Sequence, residues 1–255
     1  MNAIYEPKGR AGEYAQLAVN LWRGCPHGCT YPCYAPLALH MDRAAFHAAA
    51  TPRKGILEAL EKDASRLAGD GRVVQLCFSC DPYPPEEGTE KLTRQAMEIL
   101  TGHGLAVSVL TKGGLLPQRD FDLLAKNHRN RFGVTLTGLS PEHALRWEPN
   151  APLPTQRLAS LATAHRKGIR TWVSLEPVIN PELTLDIIQR TFPFVAHFAV
   201  GKLNYHPLAQ SINWPQFRAR VAEWLLRLGY RPLKDPHEAQ VGRTFYLKRD
   251  LVEAS

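Results

Sequence analysis

No stretch of about 18 apolar residues occurs anywhere in the chain, which argues against a membrane-spanning helix. The opening MNAIYEPKGR has no apolar core of a secretory signal, so the protein is expected in the cytoplasm, off the membrane. Neither internal sequence repeats nor low-complexity tracts stand out. Cysteine is scarce and odd in number: there are 5, and Cys25, Cys29 and Cys33 fall within nine residues. That clustering suits metal ligation in a reducing compartment better than disulfides. Acidic residues are outnumbered, 24 Asp and Glu against 31 Lys and Arg, for a net charge of +7. Such a surplus suits a polyanionic partner such as DNA or RNA, or serves solubility alone. With 44% hydrophobic and 22% charged residues the chain has the balance of a protein with a large core.

Apolar runs rich in β-branched residues recur at Gln16–Trp22, Arg72–Ser79, Leu105–Thr111, Arg131–Thr137, Arg170–Leu175 and Val195–Val200. Helix-period segments stand between most of them, at Lys54–Ala68, Thr89–Thr101, Pro117–Asn127, Thr155–Lys167 and Pro181–Thr191, several opened by a capping residue or an early proline. A strand-helix alternation of this kind implies parallel strands with right-handed crossovers. Six units are fewer than the eight of a closed barrel. The expected fold is therefore α/β, a partial (βα)6 TIM-like barrel whose site gathers at the C-terminal ends of the strands. Residues 1–200 would form the barrel. Residues 201–255, with a helix at Pro215–Leu228 and a strand at Arg243–Lys248, would be a short α/β extension packed across its end, within one monomer.

The segment Gly24-Cys25-Pro26-His27-Gly28-Cys29-Thr30-Tyr31-Pro32-Cys33-Tyr34 directly follows the first strand. Three thiolates in one short loop can take three corners of an iron–sulfur cubane and leave one iron for chemistry. The alternative is a structural zinc with His27 as fourth donor, although such sites are usually built from two separated ligand pairs.

The pattern Gly-Cys-xxx-Cys followed by Tyr, Cys, Tyr and Ala resembles the radical S-adenosylmethionine superfamily, and more narrowly its spore photoproduct lyase-like branch with phage-associated relatives. The likeness runs from about Ile4 to Leu251, through EPKGRAGEYA, NLWRGCPHGC, SCDPYPPEEGTEKLTRQAMEIL, VLTKGGLLPQRDFDLL, WEPNAPLPTQRL, WVSLEPVIN and VGKLNY. One departure is clear: three residues, not two, separate Cys29 from Cys33, and Pro32 looks inserted. The resemblance implies a [4Fe–4S] cluster on Cys25, Cys29 and Cys33, whose fourth iron is chelated by the methionyl group of S-adenosylmethionine. It implies cofactor contacts at Ser79 and Asp81 for the methionyl amino group, Lys112 for its carboxylate, Thr135 as a hydroxyl contact and Tyr34 against adenine or cluster. Glu176, Lys202 and Asn204, at the ends of the fifth and sixth strands, are further candidate contacts. Cys80, with Cys77 as the core-facing alternative, is the candidate hydrogen donor.

The activity implied by this resemblance is that of a radical enzyme supplied by a reductant such as flavodoxin or ferredoxin. If the lyase likeness carries to substrate, the target is a nucleobase or nucleic-acid lesion, with Arg119, Arg129 and Arg131 tracking phosphates. A tRNA, a peptide or a small metabolite is the alternative within the class, since fold and cofactor do not set the substrate. Outside the class stands a zinc-stabilised nucleic-acid-binding module.

Overall fold

Near-continuous aliphatic runs such as Ala106–Thr111 suit strands covered on both faces, as parallel strands flanked by helices must be. In the computed structural model, which describes residues 2–238 and 241–254, they form one open sheet. Its parallel strands are β1 (Leu17–Val19), β2 (Val73–Leu76), β3 (Ala106–Thr111), β4 (Arg131–Thr135), β5 (Arg170–Val178), β6 (His197–Lys202) and β7 (Thr244–Leu247), in that spatial order. Helices α1 (Ile56–Arg66), α2 (Leu92–Gly102), α3 (Pro154–Arg166), α4 (Pro181–Thr191) and α5 (Trp214–Arg227) supply the crossovers. The start of α4 shows why the sequence breaks there. Pro181 occupies the first turn, and Asn180 Oδ1 accepts the amides of Glu182 and Leu183, which no carbonyl of the helix can reach.

Six strands stand where six were expected. The third crossover differs, because Pro117 and the buried Asp120 break it into a 3-10 turn, Leu116–Asp120, and one short helical turn, Phe121–Leu124. The tail differs too. Its strand β7 pairs in parallel with β6, Thr244 against His197 through Leu247 against Val200, so it continues the sheet rather than lying across the barrel end.

The two sheet edges are the short strands Ile4–Tyr5, antiparallel to β1, and Arg231–Pro232, parallel to β7. They do not pair with each other, and the N-terminal segment bridges the gap between them. Glu13 accepts the Tyr246 hydroxyl and the Arg249 amide, while Arg10 pairs with Asp250 at 3.7 Å. Tyr14 points into the barrel between Phe78 and Trp172, with ring centroids 6.2 and 5.8 Å away. Its hydroxyl meets Ser174 Oγ at 2.8 Å and donates to the Glu176 carboxylate. Lys248 closes this group: its Nζ donates to Glu176 at 2.8 Å and lies 4.3 Å from the Tyr14 ring centroid. Trp172 fills the middle of the barrel because Gly133 lies beneath it, where a Cβ would come within 2.3 Å of the indole.

No helix among the described residues is long and apolar enough to cross a membrane. Lys248 is only 2% exposed, so removing its charge leaves the Glu176 carboxylate with the Tyr14 hydroxyl as its hydrogen-bond partner among the described residues. Lys248→Ala is expected to cost about 3 kcal/mol of unfolding free energy, the scale for breaking a buried ion pair, read as a lower urea midpoint with unchanged slope.

Candidate cofactor site

The cysteine loop leaves β1 through Asn20 and doubles back over the strand ends. Gly24 turns it at φ +87°, where a Cβ would overlap the Ala49 carbonyl at 2.1 Å. The Cys25 amide then donates to Phe46 O at 2.9 Å, and Asn150 N to His27 O at 3.2 Å. Arg43 donates to both Cys29 O, at 2.6 Å, and Tyr31 O, at 3.2 Å. The extra residue between the second and third cysteines is accommodated by this clamp and by Thr30, whose amide is bound to Trp147 O at 2.9 Å. Tyr31 turns inward and donates to Glu148 at 3.1 Å. Cys33 then caps a short helix, Tyr34–Ala38.

All five cysteines are unpaired thiols. Backbone amides of His27 and Ala35 point at the sulfurs of Cys25 and Cys33. Burial, with the Asp81 carboxylate adding to it, pushes the Cys25 thiol up to about 12. Thiolates there need a strong local positive charge. Lys112 supplies part of it. Burial works against its ammonium, but Cys29 and Glu148 outweigh that and hold its pKa above the ordinary lysine value.

Two carboxylates organise the floor. Asp81 Oδ1 accepts the Tyr83 amide at 2.8 Å and the Thr111 hydroxyl at 2.5 Å, and Oδ2 accepts the Lys112 amide at 2.7 Å. His27 Nε2 lies 3.1 Å from Oδ2, off the direction of a good hydrogen bond. Burial alone would raise the Asp81 pKa; the His27 charge and these donors outweigh it and hold the carboxyl at about 2. Glu148 accepts Tyr31, pairs with Arg157 at 2.6 Å and sits 3.8 Å from Lys112.

The structure brings Cys25, Cys29, Cys33, Tyr34, Ser79, Cys77, Cys80, Asp81 and Lys112 to one end of the first three strands. Tyr34 donates its hydroxyl to Phe78 O, and Thr135 ends β4 with its carbonyl bound to Arg157 at 3.0 Å. The second strand stops at Leu76, earlier than its apolar run suggested. Asn20 Oδ1 takes the amides of Phe78 and Ser79, at 2.7 and 3.0 Å, and peels the chain off the ladder, with Cys77 at φ +60°. Strand alternation therefore does not sort Cys77 from Cys80. The two side chains touch in a turn, with Cys80 close to Cys25. Glu176 is engaged by Lys248 and Tyr14. Lys202 lies over the Trp214 ring at 5.6 Å, and Asn204 donates to Asp250 at 2.6 Å. These last two line a separate groove of about 570 Å³ beside Tyr205 and His206.

The three arginines expected on phosphates are turned to other work. Arg119 pairs with Glu87 at 2.6 Å and Asp120 at 2.8 Å, and Arg129 holds the carbonyls of Gly71 and Gly104. Arg131 starts β4, at the far end of the barrel, and is inside it. Sequence reasoning gave His27 a part only as a zinc donor, and gave none to Asn20, Arg43, Glu148 or Arg157. The segment WEPNAPLPTQRL carried Glu148 and Arg157, but only the fold shows that they meet.

A zinc site needs about four donors on one ion. Among the described residues no three His, Cys, Asp or Glu side chains converge to hold a single metal. One loop presenting three cysteines, two of them with amides aimed at sulfur, has the donor chemistry of a multi-iron cluster, whose corners take thiolates one by one.

A family model described as the Radical SAM superfamily matches residues 19–195, more than half of the chain. Uncharacterised proteins of Mycobacterium tuberculosis and Mycobacterium bovis are each 31% identical over 176 residues, covering 66% of this chain and 51% of theirs. The chain thus spans about half the length of these curated relatives. Among solved structures, spore photoproduct lyase complexed with dinucleoside spore photoproduct superposes with TM-score 0.64 at 13% identity, covering 94% of this chain and 78% of that one. Streptococcus suis SuiB bound to precursor peptide SuiA gives 0.62 at 11% identity, covering 92% of this chain and 49% of that one. SuiB bound to S-adenosylmethionine gives 0.54 at 10% identity, covering 74% and 43%. At these identities the likeness concerns the fold.

The Asp81 pKa has a measurable consequence. It is depressed in the folded state, so its stabilisation is present above about pH 4, the unfolded value, and is lost as pH falls through about 2. The unfolding free-energy gap between wild type and Asp81→Asn should narrow by about 2 kcal/mol between pH 6 and pH 2, followed by urea titration at each pH.

Proposed function

Because the chain belongs to the radical S-adenosylmethionine superfamily, we propose that it holds a [4Fe–4S] cluster on Cys25, Cys29 and Cys33 and cleaves S-adenosylmethionine reductively to act on a nucleobase or nucleic-acid substrate. The observation that carries the reading is the three-cysteine loop at the C-terminal end of β1, beside Asp81 and Lys112 at the ends of β2 and β3. Cys25, Cys29 and Cys33 would hold the cluster, which when bound and reduced would supply the one-electron reduction of the cofactor's sulfonium. A flavodoxin or ferredoxin is the expected source of that electron.

The chain's own residues bind, orient and shield. Lys112 is the cation for the methionyl carboxylate. Ser79 and Asp81 receive the amino group. A carboxylate has about four acceptor sites, and Asp81 already accepts three hydrogen bonds, so the amino group takes the fourth, where the poorly aligned His27 imidazole now lies 3.1 Å away and is the group that moves. Tyr34 and Thr135 border the adenosine, and Glu176, Lys202 and Asn204 are outer contacts at the mouth. Cys80, against Cys77 and beside Cys25, is the hydrogen donor to the substrate radical.

The charge of +7 favours nucleic acid, as does the neighbour complexed with a dinucleoside. The neighbour bound to a precursor peptide favours a peptide as the second reading.

Anaerobic reconstitution with iron and sulfide, then dithionite and S-adenosylmethionine, should yield 5′-deoxyadenosine by chromatography. Cys29→Ala should fall to background. Lys112→Ala should weaken apparent S-adenosylmethionine affinity about tenfold or more, the scale of one charged hydrogen bond. Zinc retained in place of iron would sink the reading. In anisotropy assays, binding to DNA or RNA oligonucleotides that weakens with salt is expected; no binding at low salt would move the substrate to a peptide or small molecule.

A further inference from the structure

The opposite end of the barrel carries a second charged cluster that this chemistry does not use. Gln75, Ser108, Arg131 and Arg170 are successive Cα partners across β2 to β5, one row of the sheet with side chains on one face. That face is the interior. The Arg131 guanidinium lies 5.3 Å from the Trp172 ring centroid, its Nη2 donates to Tyr14 O at 2.8 Å and its Nε to Ser108 Oγ at 2.8 Å. Arg170 stands one strand away, about 4.8 Å along the sheet. Its Nη2 donates to Gly242 O at 2.8 Å, whereas its Nε is buried with no hydrogen-bond partner. His197 is 4% exposed, with Nδ1 2.9 Å from Thr244 Oγ1.

Two guanidiniums and an imidazole thus gather with no carboxylate pairing either arginine among the described residues. Buried cations elsewhere in the barrel have an opposite partner, as Lys248 has Glu176 and Arg157 has Glu148. Burial first, then the charge of Arg170, lowers Arg131 to about 10, and burial with both arginines holds His197 well below its ordinary value. Both arginines stay charged at neutral pH, so the site is cationic, half-buried and without an opposite charge among the described residues.

We propose that Arg131 and Arg170 form a binding site for one small oxyanion of the phosphate type at the N-terminal end of the barrel. The guanidinium fork matches two oxygens of a tetrahedral anion, and Arg170 Nε is the donor such a ligand would satisfy. This inference is independent of the cysteine loop and stands or falls apart from it.

The test uses the full chain, titrated with sodium phosphate against sodium chloride at matched ionic strength, with the melting temperature read by intrinsic fluorescence. A saturable rise with phosphate alone is expected for wild type and for Arg129→Gln, which alters a guanidinium on loop carbonyls. Arg170→Gln should lose the rise, and equilibrium dialysis with labelled phosphate should fall from one equivalent per chain to none. Should Arg170→Gln fail to fold by circular dichroism, Arg170→Lys keeps the charge but not the fork, and about tenfold weaker phosphate binding is expected. Equal rises with chloride, or phosphate binding unchanged by these Arg170 variants, would overturn the proposal.

Discussion

Asp81 is the constraint on which the mouth of the barrel depends. One buried carboxylate draws together the amide after its own turn, the hydroxyl that ends β3, the amide of Lys112 and the imidazole of His27 inside the cysteine loop. Three segments far apart in sequence are thereby held to a common point. The position of Lys112 follows from this, since its backbone is bound to Asp81 while its side chain reaches over Tyr31 toward Glu148. An ion held by its main chain and balanced by Cys29 and Glu148 has little freedom to turn away. The methionyl end proposed to bind there would meet a cation that is already preorganised.

The second constraint is the open sheet. Seven parallel strands with short edge strands leave a gap, and the chain fills it with its own N-terminal segment rather than with an eighth unit. Tyr14 does this because its ring packs against Phe78 and Trp172 while its hydroxyl reaches Glu176. Glu176 therefore has a structural task at the mouth, whatever it contributes to a ligand. The same group explains why the tail joins the sheet: Lys248 follows β7 directly, and its buried charge finds its partner only when β7 lies beside β6.

The barrel was legible in the sequence because parallel strands covered on both faces are written as apolar runs, and helix starts as proline and cap residues; Pro181–Thr191 is an instance. The cysteines were legible because three in nine residues have few other uses. What escaped was every decision taken by a side chain across a long sequence distance. Nothing local marks that Asn20 will take two amides near residue 78 and end a strand early, or that Arg157 will meet Glu148. Arg119, Arg129 and Arg131 show the converse error. A basic residue in a sequence reads as surface charge, yet these three satisfy buried carboxylates, loop carbonyls and the barrel interior.

Charge is distributed unevenly along the barrel axis. At the cysteine end, Lys112, Arg157 and His27 each face a carboxylate, beside the free thiols of Cys25, Cys29 and Cys33. At the far end, Arg131 and Arg170 face each other, and repulsion with burial lowers Arg131. The two ends, separated by the Trp172 layer, lie too far apart to compensate one another through short contacts. Each end must therefore be neutralised locally. At the mouth, the iron and positively charged sulfonium of the proposed reading would answer the thiolates. At the base the described residues supply dipoles, the Tyr14 and Gly242 carbonyls and the Ser108 hydroxyl, and dipoles offset a buried charge less completely than an opposite charge does. The asymmetry comes from where the sequence put its acids: Glu148, Asp81 and Glu176 all lie at C-terminal strand ends or in the loops beyond them, and none opens a strand.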